Sequence, residues 1–87
     1  MEKAEVSVRS QGGLHLRKAA EIVRCAQKFR SEITLCHKCK SADACSILQV
    51  LCLGVAAHSA LSITATGPDE KEAVESIVEV FNEGAGI

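Results

Sequence analysis

The sequence predicts an α+β fold in which a four-stranded antiparallel sheet carries three helices on one face and leaves the other face wet. Two observations predict it: short segments alternate apolar with polar residues, and apolar stripes at helical spacing fall between them. Gly, Pro and Ser punctuate the joins. Ala4, Val6 and Val8 alternate with Glu5, Ser7 and Arg9, the period of a half-buried strand, until Gly12 and Gly13 stop it. Ala19, Ile22, Val23, Ala26 and Phe29 then form the stripe of an amphipathic helix starting near Ala19. Ile33 and Leu35 resume the alternation, and the polar run from His37 to Asp43 holds a turn and a short return strand. Ser46 before the run ILQVLCL and Gly54 after it read as the N-cap and C-terminal stop of a short helix. Within that helix Val50 is expected in the core and Ile47 on the surface. Leu61, Ile63 and Ala65 mark the last strand, which Gly67 and Pro68 break. Asp69 with Glu72 reads as the capping pair of a final helix burying Val74, Ile77, Val78 and Phe81.

The 87 residues suit one domain spanning 1–87, with no internal repeat and no low-complexity linker. Phe29 and Phe81 are the only aromatic residues, so the core must be aliphatic and no stacking platform for bases exists. A formal net charge of −1 gives no basic excess for polyanions, so nucleic acid is not an expected partner. Charge is nonetheless uneven: Arg17, Lys18, Arg24, Lys28 and Arg30 cluster early, while Asp69, Glu70, Glu72, Glu75, Glu79 and Glu83 crowd the end. No stretch reaches the roughly 18 apolar residues of a membrane helix, and MEKAEVSVRS lacks a signal-peptide core. A cytoplasmic address without membrane insertion is therefore expected. Five cysteines, Cys25, Cys36, Cys39, Cys45 and Cys52, are an odd number and read as reduced thiols.

The stretch Gly12-Gly13-Leu14-His15-Leu16-Arg17-Lys18-Ala19-Ala20 places a histidine and an arginine where a glycine turn meets a helix. A helix start offers unpaired N–H groups and a positive dipole end, which favour an anion. A phosphoryl group on His15 would sit against those groups, with the Arg17 guanidinium meeting its oxygens. A neutral imidazole is also a suitable nucleophile near pH 7. On local physics alone, a histidine near a helix start is more often a cap or a surface residue than a phosphoryl acceptor.

GLHLRKAA resembles the active-site motif of the HPr family of the bacterial phosphotransferase system, which usually reads Gly-x-His-x-Arg-Pro-Ala. A second segment, Cys45-Ser46-Ile47-Leu48 through Leu53-Gly54-Val55, resembles the family's Lys-Ser-Ile-Met…Leu-Gly signature. Nearly the whole chain fits without an insertion. The resemblance implies an open-faced sandwich of four antiparallel strands and three helices. It also implies that His15 accepts a phosphoryl group at Nδ1 from the phosphohistidine of Enzyme I and passes it to an Enzyme IIA, with Arg17 stabilising the group. The protein would then be a monomeric, transferase-like carrier in sugar transport, acting with Enzyme I and without cofactor or metal. Ser46 would correspond to the serine modified by HPr kinase/phosphorylase, and Ile47, Leu48 and Leu51 would lie on the partner-docking helix.

The chain departs from the family pattern at Lys18, where a proline is usual, and at Cys45, where a lysine is usual. Lys18 gives up the preset φ of a proline. It then serves either as an extra cation near the phosphate site or as a solvated first-turn residue. Ser46 has a second reading as a plain N-cap. The rival motif is Cys36-His37-Lys38-Cys39, a C-x-x-C turn offering thiolate and imidazole to zinc or to thiol redox chemistry, although the second ligand pair of a structural site is missing. A regulatory HPr-like binding module is the third reading. His58 reads as a solvated turn residue.

Overall fold

The computed structural model describes residues 1–8, 16–53 and 59–83. Seven elements follow in order: β1 (Glu2–Ser7), α1 (Leu16–Ala26), β2 (Glu32–His37), β3 (Lys40–Asp43), α2 (Ile47–Cys52), β4 (Ala60–Thr66) and α3 (Glu70–Glu83). The four strands form one antiparallel sheet in the order β1-β4-β2-β3. Because β4 inserts between β1 and β2, the β1–α1–β2 crossover spans a gap that the later strand β4 fills, while the β3–α2–β4 crossover passes over β2.

Register puts the alternating residues of every strand on one face. Ala4, Ile63, Leu35 and Ala42 stand side by side across the sheet, and Val6 faces Leu61. These residues meet Ala19, Ile22, Val50, Val74, Ile77 and Phe81 from the helices in one aliphatic core. The opposite face carries Lys3, Thr64, Thr34 and Asp43 in the neighbouring row. An edge of the sheet turns at Lys38, whose φ of 56° is the left-handed conformation favoured in tight hairpins.

Helix α1 begins three residues ahead of the predicted start, because an apolar stripe marks only the buried part of a helix and its first turn is largely exposed. It ends at Ala26, so Phe29 lies beyond it and is half-buried, as is Val23, while Cys25 joins the core. Ser46 caps α2 as expected, with extended φ and ψ of −116° and 109° and its Oγ accepting the Gln49 N–H at 3.4 Å. The predicted stop, Gly54, lies outside the described residues, as does His58.

The predicted Asp69–Glu72 capping pair does not form. Asp69 instead accepts the backbone N–H groups of Arg30 at 3.0 Å and Ser31 at 2.9 Å, together with the Ser31 hydroxyl. The local bond at the start of α3 runs from the Gly67 N–H to Glu70 Oε1 at 3.2 Å. Gly67 holds a φ of +153°, and a Cβ there would lie 2.6 Å from Ser31 Cα, so the close approach of this turn to the start of β2 requires glycine.

Candidate functional site

One end of the sheet gathers the segments that flank residues 9–15. Strand β1 ends there, and the Val8 N–H extends its pairing by donating to the Ser59 carbonyl at 3.0 Å. Strand β2 ends beside it at His37, whose Nδ1 lies 3.1 Å from the Ala60 carbonyl at the start of β4. A carbonyl only accepts, so Nδ1 carries a hydrogen and Nε2 is the ring nitrogen left for other contacts. The C-terminal end of α3 reaches the same place, because Lys18 in the first turn of α1 donates to the Val80 carbonyl at 2.9 Å. His15 itself lies outside the described residues, but both of its flanks are tied to this end of the fold.

Arg17 points away from the body of the protein, with its side chain 93% exposed. Its ion-pair partner among the described residues is Glu21, at 4.0 Å from Nε to Oε1, too far for a hydrogen bond. Lys18 is not the solvated first-turn residue of one reading, and the other, a cation near the phosphate site, turns on His15, which lies outside the described residues. Only 14% of its side chain is exposed, and its ammonium lies 3.1 Å from Glu21 Oε2 while donating to α3. The reason is periodicity: Lys18 precedes Ile22 by four residues and Cys25 by seven, so it falls on the inward stripe of α1.

Helix α2 packs beside α1. Leu48 is 72% exposed, as expected for a docking residue. Ile47, expected on the surface, is half-buried against the core together with Leu51. It precedes Val50 by three residues and so shares its face, whereas Leu48 is turned a further 100° or so around the helix. Sequence reasoning missed Leu16, 63% exposed in the first turn of α1. The signal was available, since an isolated leucine ahead of the Ala19 stripe has no strand or helix core to join.

The rival C-x-x-C motif does not assemble as a ligand set among the described residues. Cys36 and His37 are consecutive in β2, so their side chains leave opposite faces of the sheet, and Cys39 is exposed in the turn. Beside the α2 cap, partial desolvation first and the nearby Asp43 charge second push the Cys45 thiol pKa up, which favours the protonated thiol over a thiolate. No helix among the described residues is long and apolar enough to cross a membrane.

Comparison with known proteins agrees with this geometry. The family model described as the PTS HPr component phosphorylation site matches residues 2–83. The phosphocarrier protein HPr of Vibrio cholerae is 36% identical over 83 residues, covering 95% of this chain and 98% of that protein. The crystal structure of HPr-C-His from Thermoanaerobacter tengcongensis superposes with a TM-score of 0.93 at 32% identity, covering 100% of this chain and 98% of that one. Crh of Bacillus subtilis, solved as a dimer with a swapping domain, matches at a TM-score of 0.77 and 33% identity over 98% of both chains. A family match along almost the whole length, on a sheet and helices of the same arrangement, shows that this chain belongs to the HPr family of phosphocarriers of the phosphotransferase system.

Proposed function

We propose that His15 is the phosphoryl acceptor, charged by Enzyme I and discharged to an Enzyme IIA, and that Arg17 holds the phosphoryl oxygens during transfer. The observation that carries the reading is the Arg17 guanidinium, which has no hydrogen-bond partner among the described residues. It stands two residues from His15 in sequence, 93% exposed, and makes no hydrogen bond to the Glu21 carboxylate. A forked cation at a helix start can meet an oxyanion without first breaking an internal bond. In the transfer, a His15 ring nitrogen (Nδ1 by family resemblance) attacks phosphorus as the N–P bond of the donor phosphohistidine breaks. The bonding pair returns to the donor imidazole, and the same exchange runs onward to the acceptor. The exposed leucines Leu16 and Leu48 offer apolar contact to a partner, with Ile47 and Leu51 supporting them from the core side. Ser46 is a second phosphorylation site in this reading, used by an HPr kinase/phosphorylase. Its hydroxyl faces the Gln49 N–H at a long 3.4 Å, so the cap bond is weak enough to yield to modification.

The test is incubation with phosphoenolpyruvate and Enzyme I, followed by intact mass. The expected result is one acid-labile phosphate in the parent and none in His15→Ala. Equal labelling of the variant would move the site elsewhere.

A further inference from the structure

The carboxylate of Glu21 sits between two cations of the first turn of α1. Its Oε2 is 3.1 Å from the Lys18 ammonium, and its Oε1 is 4.0 Å from Arg17 Nε. The nearer partner is itself fixed, since Lys18 Nζ also donates to the Val80 carbonyl in the last turn of α3 at 2.9 Å and is only 14% exposed. Helix α3 has no basic residue in its own last turn, so Lys18 is the cation that its negative end receives. Arg17 and Glu21, in contrast, are spaced i,i+4 on a helix surface, where an unoccupied guanidinium and carboxylate readily pair.

We infer that Lys18 is a positioning residue for phosphoryl transfer: by holding Glu21 and the end of α3, it keeps the Arg17 guanidinium disengaged and available to the incoming phosphoryl group. The inference rests on Arg17 serving transfer at His15. Without the Lys18 ammonium, Glu21 loses its closer partner and closes on Arg17 as a charge-assisted pair. The incoming phosphoryl oxygens then compete with a carboxylate already in place. The tie to Val80 adds a second restraint, because it fixes the rotation of α1 about its axis and with it the direction in which Arg17 leaves the helix. Glu21 is thus a competitor restrained by Lys18.

The test measures the rate of His15 phosphorylation by phosphoenolpyruvate and Enzyme I in the parent, Lys18→Met, Glu21→Gln and the double variant, with a thermal melt of each. Methionine keeps the buried stem and removes the charge. Lys18→Met is expected to slow uptake about tenfold, less than the 10²–10³ expected for full loss of a preorganised donor. Adding Glu21→Gln is expected to restore most of the rate without restoring the melting temperature, because the competitor is gone while the tie to Val80 is still missing. Uptake by Lys18→Met at the parent rate overturns the inference. So does a double variant as slow as Lys18→Met, which would mean that Lys18 acts through the fold alone. Glu21→Gln by itself is expected to charge at least as fast as the parent, and slower charging would count against the role of Glu21 even if Lys18→Met failed to fold. Failure of the parent to label, or labelling that survives His15→Ala, would instead refute the underlying assignment of His15.

Discussion

At the scale of single residues, Arg17 and Lys18 show how one helical step divides two similar side chains. Arg17 lies far around the helix from the Ala19–Ile22–Ala26 stripe and projects outward, while Lys18 falls on that stripe and is drawn onto α3. The same period governs their function. Arg17→Ala is expected to leave the melting temperature within experimental error, since an exposed side chain without a close partner adds little to stability. The same substitution is expected to slow phosphoryl transfer by about 10²–10³, the typical loss for one donor in a preorganised site. Stopped-time labelling of His15 against a thermal melt separates the two effects, and unchanged kinetics would remove Arg17 from the mechanism. The inward position of Lys18 was legible in its spacing to Ile22 and Cys25. What it would touch there was not, because Val80 is 62 residues away in sequence.

At the scale of elements, α2 is a six-residue helix with neither an acidic first turn nor a basic last turn, so its stability depends on its cap and on Val50. Ser46→Ala is expected to destabilise the protein by about 0.5–1 kcal/mol, the lower part of the usual N-cap range, because the Oγ to Gln49 bond is long at 3.4 Å. Urea denaturation would measure it. Phosphorylation of Ser46 adds about −1.5 to −2 charges beside the exposed Leu48, and is expected to slow charging of His15 by Enzyme I with little change in fold. The comparison is between parent and protein first treated with ATP and HPr kinase/phosphorylase. Charging at the parent rate would leave Ser46 as a helix cap only. Leu48→Asp is expected to weaken the same encounter while leaving stability nearly unchanged, since its side chain is already in water; a binding isotherm with Enzyme I checks it.

At the scale of the whole molecule, two long-range ties hold the ends of α3 to the rest of the fold. Lys18 joins the start of α1 to the end of α3, and Asp69, just before α3, holds Arg30 and Ser31 where the chain leaves α1 for β2. The Ser31 hydroxyl first and the Arg30 N–H second hold the Asp69 carboxyl below its ordinary value. A folded pKa lowered from the unfolded value of about 3.9 means that this contribution to stability is present above that value. It is lost as pH falls through the lower folded value. Asp69→Asn is therefore expected to lower the melting temperature at neutral pH and to flatten its fall below about pH 4, where the parent is losing the same interaction. Parallel slopes in acid would exclude Asp69 as a source of the pH dependence. Gly67→Ala belongs to the same joint and is expected to destabilise by about 1–3 kcal/mol, because its Cβ would meet Ser31 backbone at an unfavourable φ.

Element order, the inward residues of β1, β2 and β4, and the pair of motifs that mark the family were legible in the sequence, because period and short-range spacing are local properties of the chain. The sequence was also enough to place Ser46 as a cap and Val50 in the core. The tertiary structure decided the strand order β1-β4-β2-β3, the use of Asp69 to hold β2 instead of capping α3, the half-burial of Ile47 and the destination of Lys18. Each of these depends on which distant backbone groups come within hydrogen-bond or packing reach. Only the folded chain sets those distances.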